Sequence, residues 1–173
     1  MKFRLLVLVL TCLGGCPALA GPVLRWSPPD TTIGVGQQAT LAIMLDDTVT
    51  VRTIEIYISY DSSVVSSVAG EPGSLFDGYS LFEGFEEVAV ASPAQWHGYS
   101  VILGAGDWIV GPGELFRWTV SGDAVGLCGL ETVSVRLLPP GGGEYEATSL
   151  PGTTIAVGGP SGVPTDLPAV AAL

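Results

Sequence analysis

Apolar and polar residues alternate along residues 52–60 more regularly than anywhere else in the chain. The apolar set is Ile54, Ile56, Ile58 and Tyr60, and the set between them is Thr53, Glu55, Tyr57 and Ser59. Successive side chains of a β-strand point to opposite faces of the sheet, so this pattern predicts a strand with one buried face and one displayed face. A displayed sheet face suits a recognition module better than a catalytic cavity.

Eight further segments are predicted to be strands, and short turns rich in Gly, Pro, Asp and Ser separate them. They are residues 23–26, 39–45, 64–69, 87–91, 98–104, 115–120, 133–137 and 153–157. In the segment 115–120, Phe116, Trp118 and Val120 form the better candidate for the buried face. The chain is therefore predicted to be all-β, a β-sandwich of about nine strands.

The stretch 74–86 is predicted to be a loop, and it is rich in aromatic residues: Phe76, Tyr79, Phe82 and Phe85. The favoured interpretation is that these rings cap one end of the core. The alternative is that they form an exposed adhesive surface.

The N-terminus has the features of a targeting segment. Lys2 and Arg4 precede an apolar run over 5–13, and residues 18–20 form an A-x-A cleavage site, which predicts a signal peptide over 1–20. The alternative is a lipoprotein signal, because residues 13–16 resemble a lipobox and would leave a lipidated Cys16. Both predict a secreted or cell-surface protein, and no second hydrophobic span follows.

The 173 residues suffice for one domain with a full core, and residues 21–158 are predicted to form it. Removing residues 1–20 leaves four arginines against 17 acidic residues, a balance of −13. This charge would repel nucleic acid and anionic lipid, and neither is expected as a partner. Its favoured interpretation is a solubilising surface; attraction to a cationic partner or to calcium is the alternative.

Catalytic chemistry has little support in the sequence. The single histidine, His97, is predicted to be an ordinary surface residue, and no nucleophile elbow surrounds any serine. Cys128 lies in an apolar context and is predicted to be a buried structural thiol. Carboxylate pairs such as Asp46–Asp47 and Glu86–Glu87 occur without a visible cleft. The chain is therefore not expected to be an enzyme.

No cofactor or metal is expected. The sequence contains no HExxH, no CxxC and no EF-hand calcium loop. The acids of Asp46–Asp47 and of the turn at Asp61 are potential oxygen ligands for calcium. Solvated turn residues are the favoured interpretation of both.

Carbohydrate binding is the main alternative function, because flat aromatic side chains of β-sandwich modules stack on sugar rings. The chain has four tryptophans, Trp26, Trp96, Trp108 and Trp118. Trp96 and Trp108 flank the predicted strand 98–104 in polar or Gly-rich surroundings, and this hypothesis requires both to be exposed and coplanar. The favoured interpretation of both is that they cap the edge of the core.

Several short motifs follow one another along the chain in a characteristic order. The strand that ends in Tyr60-Asp61 is followed by a Val-rich strand from residue 63 and by a Pro-Gly turn. The segments concerned are 35–36, 60–61, 63–65, 71–76, 113–116 and 152–157. In order and spacing, these motifs resemble the cohesin domain over about residues 23–158.

The resemblance implies a nine-stranded jelly-roll β-sandwich without a catalytic centre. Cohesins bind dockerin modules, often on secreted polysaccharide-degrading enzymes, and the calcium in such complexes belongs to the dockerin. The outward positions of the strand ending in Tyr-Asp belong to the family's binding face, which here implies Thr53, Glu55 and Tyr57. Glu55 keeps an acid of the family pattern, whereas Thr53 departs from it.

Residues 159–173 are rich in Pro and Gly and lack a strand pattern, so they are predicted to be a linker or tail. Val163-Pro164 and the apolar run over 167–173 resemble the start of a bacterial C-terminal sorting tail.

Overall fold

The computed structural model describes residues 21–88, 93–145 and 149–159. The predicted signal peptide, the lipobox with Cys16, the end of the predicted strand 87–91 and the tail beyond residue 159 lie outside these residues. The strands are β1 (Leu24–Ser27), β2 (Asp30–Gly34), β3 (Gln38–Leu45), β4 (Thr50–Val51), β5 (Thr53–Tyr60), β6 (Val65–Pro72), β7 (Leu81–Val88), β8 (Ala94–Ile102), β9 (Ile109–Val110), β10 (Gly113–Gly122), β11 (Gly126–Leu138) and β12 (Thr153–Gly158). The one helical element is a short 3₁₀ turn, Ser74–Phe76, within the described chain.

Two main sheets form a β-sandwich of jelly-roll type. One has four strands in the order β1-β3-β10-β6, and the other has six in the order β2-β12-β11-β5-β8-β7. The pairing is antiparallel except between β2 and β12, which run parallel. Strands β4 and β9 form a separate two-stranded ribbon. The predicted fold class is confirmed, although the described residues form twelve strands and not about nine, because β2, β4 and β9 are short additions.

The core lies between the two sheets. Ile54, Ile56 and Ile58 are fully buried, as the alternation along β5 predicts. Trp96 from the six-stranded sheet stacks on Trp118 from the four-stranded sheet, with 5.1 Å between ring centroids. Burial of such large rings supplies much of the hydrophobic stabilisation of a domain that has no disulfide in its described part.

The prediction of a loop over 74–86 is wrong, because its second half is the edge strand β7, which pairs with β8. Both interpretations of its rings hold in part. Phe76 is buried and Phe85 packs against the core, whereas Phe82 is 60% exposed and Tyr79 is 38% exposed. The three glutamates of β7 obscured the strand pattern, since they stand on an edge strand where charge is tolerated.

Strand β11 is longer than the predicted segment 133–137. Residues 126–130 pair with β12 and residues 131–138 pair with β5, and a bulge between Thr132 and Ser134 interrupts the pairing with β5. The bulge shifts the alternation, so Val133 is 52% exposed although its apolar character suggests an inward position.

Cys128 is buried, as predicted, and its Sγ accepts a hydrogen bond from the backbone N–H of Asp61 at 3.3 Å. Burial raises the pKa of this thiol, so Cys128 is a structural residue and not a reactive nucleophile. The described residues include no helix with the length and hydrophobicity that a membrane span requires.

Candidate functional site

The outward surface of the six-stranded sheet holds the candidate site. Strands β11, β5, β8 and β7 lie side by side there, and their registers align two rows of residues across the sheet. One row is Arg136, Glu55, Tyr99 and Gly84, and the next is Ser134, Tyr57, His97 and Glu86. We call this surface the outer face and define it by Thr53, Glu55, Tyr57, Phe82, Glu86, His97, Tyr99 and Arg136.

Glu55 is the centre of a polar network on the outer face. Its Oε2 accepts a hydrogen bond from Nη1 of Arg136 at 3.1 Å, and its Oε1 lies 3.2 Å from Nε2 of His97. The hydroxyl of Tyr57 donates a longer bond, of 3.4 Å, to the same Oε1. The side chain of Glu55 is only 27% exposed, and its carboxylate is thus satisfied by residues of its own sheet.

Arg136 joins this network to the loop that follows β11. Its Nε donates to Oε2 of Glu144 at 3.2 Å while its Nη1 donates to Glu55. Hydrogen bonding and the charge of Glu144, followed by the bond to Glu55, raise the pKa of Arg136. The guanidinium remains positive at all working pH values and fixes the negative charge of Glu55 within the sheet.

The prediction that His97 is an ordinary surface residue is wrong, since the residue is 8% exposed. Its Nδ1 lies 3.3 Å from Oε1 of Glu86, so the ring bridges two carboxylates from the neighbouring strands β5 and β7. The ring is buried because Tyr57 stacks over it and Tyr99 lies tilted beside it. His97 is therefore a structural residue of the outer face, and it links β5, β7 and β8 through its side-chain contacts.

The aromatic rings give the outer face its shape. Tyr57 and His97 are nearly parallel, with 4.0 Å between centroids and 6° between planes. Partial burial and the nearby Glu55 carboxylate raise the pKa of Tyr57, so its hydroxyl stays protonated at neutral pH. Tyr99 lies over Gly84, where a Cβ would stand 2.6 Å from the phenol ring, and the ring of Phe82 packs against Tyr99 with 5.6 Å between centroids.

The structure places Thr53, Glu55 and Tyr57 on the outward side of β5, each partly exposed. Sequence reasoning missed His97, Glu86, Tyr99 and Arg136, which come from three other strands. The predicted strand at 98–104 began too late and left His97 outside it. The alternation of inward Trp96 and Gly98 with outward His97 and Tyr99 was the signal that would have found them.

The hypothesis of a paired tryptophan platform for sugars is wrong. Trp96 is 1% exposed and stacks on Trp118 and Phe85 inside the core. Trp108 is 39% exposed and directly precedes the ribbon strand β9, and its carbonyl accepts a hydrogen bond from Tyr79. A flat platform of two coplanar rings does not exist at these positions.

Carboxylates elsewhere have structural partners. Oδ1 of Asp46 pairs with Nε of Arg25 at 2.8 Å, and Oδ2 of Asp47 accepts the backbone N–H of Val23 at 2.6 Å. Oδ1 of Asp61 accepts from the N–H and the hydroxyl of Ser63 within its turn. The described residues contain no group of three or more side chains placed to hold a metal ion.

A cleft of about 520 Å³ opens at the other side of β7, between the 3₁₀ turn and strand β6. Glu71, Asp77 and Glu83 line it together with Arg117 and Tyr79. Arg117 is already paired, with Glu114 at 2.5 Å and with Glu71 at 3.4 Å. His97 is not among the lining residues, and the cleft therefore does not unite the histidine with a second acid–base group.

Comparison with known proteins shows the fold. No protein-family model matches the sequence, and no curated protein matches it significantly. Solved structures do match. A non-cellulosomal cohesin from the archaeon Archaeoglobus fulgidus superposes with a TM-score of 0.62 at 15% identity, covering 80% of this chain and 92% of the cohesin.

Two further similar structures are bacterial cohesins. The cohesin module of a family 33 glycoside hydrolase from Clostridium perfringens has a TM-score of 0.62 at 13% identity, covering 81% of this chain and 98% of its own. A type I cohesin–dockerin complex from Clostridium thermocellum gives a TM-score of 0.64 at 10% identity, with 82% and 96% covered. At such low identity the similarity establishes a shared fold.

Proposed function

We propose that this chain, which has the cohesin fold, is a secreted, non-catalytic module that captures a protein partner of dockerin type on its outer face. The observation that carries the proposal is the outer face itself, where Thr53, Glu55 and Tyr57 share one side of β5 with aromatic residues of β7 and β8. A sheet surface of this kind suits a protein partner, because partners of standard size cover about 800 Å² per side.

The chemistry of the outer face supports protein recognition. Tyrosine and arginine are among the residue types enriched at protein interfaces. Tyr57 and Tyr99 lie on the two central strands of the outer face, and Arg136 lies beside them on β11. The ring of Tyr57 is held by stacking on His97, and the ring of Tyr99 packs over Gly84. Little side-chain entropy would therefore be lost on binding. Catalysis receives no such support, since Glu55 is internally paired and Cys128 is buried.

The similar structures support the choice of partner. They include cohesins in complex with dockerins, among them the Clostridium thermocellum complex and one from Acetivibrio cellulolyticus. The predicted signal peptide and the acidic balance of the chain support export to the extracellular space or the cell surface, with Cys16 as an alternative lipid anchor. A role in assembling polysaccharide-degrading enzymes is the context in which such a module would act.

The test is capture of purified dockerin modules by immobilised protein, with affinities measured by calorimetry. Glu55→Lys is expected to weaken capture by about 1–3 kcal/mol, because it reverses a charge at the centre of the outer face. Thr53→Arg is a second variant that blocks the same surface at a residue outside the hydrogen bonds of Glu55. Thermal unfolding checks that both variants are folded.

Asp77→Lys is the matched control, since it reverses an exposed acid that lines the cleft on the other side of β7. It is expected to bind like the unaltered protein. Loss of capture in both outer-face variants but not in this control supports the proposal. If folded Thr53→Arg and Glu55→Lys proteins capture dockerin as well as the unaltered protein does, the outer face is not the binding surface.

A further inference from the structure

Glu86 and His97 form a contact on the outer face whose hydrogen bonding depends on one proton. Nδ1 of His97 lies 3.3 Å from Oε1 of Glu86, and Nε2 lies 3.2 Å from Oε1 of Glu55. A neutral imidazole has one N–H, whereas an imidazolium has two. Only the protonated ring therefore donates to both carboxylates at once.

The two carboxylates differ in what else holds them. Glu55 also receives hydrogen bonds from Arg136 and Tyr57, and its side chain is 27% exposed. The side chain of Glu86 is 67% exposed, and within the described chain it makes no other hydrogen bond or ion pair. When His97 is neutral, its single N–H is best kept by Glu55, which is the less exposed of the two carboxylates, and Glu86 becomes free to turn to solvent.

The charged and titratable groups around His97 come from every strand packed beside it. Glu55 and Tyr57 face it from β5, Glu86 faces it from β7, and Tyr99 lies beside it on β8. Arg136 of β11 acts through Glu55 and is itself balanced by Glu144. Within this set Glu86 alone is a carboxylate whose only ionic partner is the histidine.

We infer that Glu86 is the residue that recognises a cationic group, a lysine or arginine side chain, on the protein partner, and that protonation of His97 withdraws Glu86 from it. The inference rests on the proposed function of the outer face. It follows from charge complementarity, because the chain has 17 acidic residues against six basic ones and Glu86 is the exposed acid of this surface. The imidazolium and the partner's cation then compete for one carboxylate.

Capture is therefore strongest above the histidine range and weakens on acidification. Histidines change charge between about pH 5 and 8, whereas ordinary glutamates remain ionised at pH 5.5. Dockerin affinity of the unaltered protein is expected to fall about tenfold between pH 7.5 and 5.5, the effect of losing one charge-assisted hydrogen bond. The dockerin that binds in the capture experiment is the probe.

Three variants of the full domain distinguish the contribution of Glu86 to dockerin binding from the effect of the His97 proton. Glu86→Gln is expected to bind about tenfold more weakly at pH 7.5 and to lose the pH dependence. His97→Gln keeps one amide donor for Glu55 and is expected to retain at pH 5.5 the affinity it has at pH 7.5. Glu83→Gln lies on the same strand but lines the cleft, so it is expected to match the unaltered protein at both pH values.

Nuclear magnetic resonance of the free protein tests the contact without a partner. The carboxyl carbon of Glu86 is expected to shift in the same pH range as the ring nitrogens of His97, and this shift is expected to vanish in His97→Gln. The inference would be overturned if the Glu86 carboxyl shift does not change in the pH range in which His97 titrates, or if the dockerin affinity of Glu86→Gln still depends on pH. Either result would leave the proposed function standing. Failure to capture any dockerin at either pH would overturn both.

Discussion

The ring of Tyr57 lies flat on the imidazole of His97, with 4.0 Å between centroids and an angle of 6° between planes. The two residues are direct cross-strand partners on β5 and β8, where side chains are close enough to stack. Tyr57 thus covers the histidine, and the stacked pair supplies a rigid aromatic surface at the centre of the outer face.

Two substitutions of Tyr57 distinguish the contribution of its stacked ring to dockerin binding from the contribution of its hydroxyl. Tyr57→Ala removes the ring and is expected to weaken dockerin capture by about 1–3 kcal/mol, as for a central aromatic anchor. Tyr57→Phe keeps the ring and loses only a 3.4 Å hydrogen bond to Glu55, so affinity is expected to stay within about 0.5 kcal/mol. Calorimetry with the captured dockerin measures both. Equal loss in the two variants would contradict a role for the ring itself.

Gly98 makes room for a core tryptophan. A Cβ at this inward position would stand 2.5 Å from Cη2 of Trp96, so Gly98→Ala forces the indole to move within a packed core. The expected loss is about 1–3 kcal/mol in the free energy of unfolding, measured by urea denaturation. Gly129→Ala is the control, because nothing lies within 4 Å of its added Cβ. A free energy of unfolding of Gly98→Ala equal to that of Gly129→Ala would show that the core around Trp96 has room for an added methyl group.

The two tryptophans of the carbohydrate hypothesis are expected to behave differently. Trp96→Ala opens a cavity beside Trp118 and is expected to reduce the free energy of unfolding by about 3–5 kcal/mol. Trp108→Ala removes an exposed ring and is expected to change it by no more than about 0.5 kcal/mol. Thermal and urea unfolding distinguish the two, and a small effect of Trp96→Ala would be incompatible with its buried position.

The turn after β5 is expected to have an acid-dependent stability. The hydroxyl of Ser63, and then its N–H, donate hydrogen bonds to Asp61 and lower the pKa of this carboxyl below its ordinary 3.8. A carboxyl with a lowered folded pKa stabilises the fold above its ordinary pKa, and the contribution is lost as the pH falls through the folded value. Asp61→Ala is therefore expected to destabilise the protein at pH 7, with a difference that shrinks below about pH 4.

Asp61→Asn is the matched variant for this turn, since its amide oxygen still accepts from Ser63 while the charge is gone. Its stability is expected to lie between those of the unaltered protein and Asp61→Ala at pH 7. A pH-independent difference between Asp61→Ala and the unaltered protein would mean that the carboxylate charge is not what holds the turn.

Much of the fold follows from short-range patterns. Alternation along β5 predicted which residues face the core, and Phe116, Trp118 and Val120 were likewise assigned correctly. The predicted strand over 87–91 missed most of β7, because edge strands tolerate charge and the three glutamates of β7 hide the period of two. The apolar character of Val133 was misleading because a bulge reverses the alternation of inward and outward residues there. A bulge forms against the partner strand, so the sequence of β11 alone does not reveal it.

The sequence by itself determined the two faces of β5, and with them the positions of Thr53, Glu55 and Tyr57, because side-chain direction along a strand is a local property of the backbone. Only the tertiary structure decided what lies beside them. His97 is 42 residues from Glu55 along the chain and reaches it through the pairing of β5 with β8. Strand order and register are set by packing of the whole core, so the contact between Glu55, His97 and Glu86 exists only in the folded sheet.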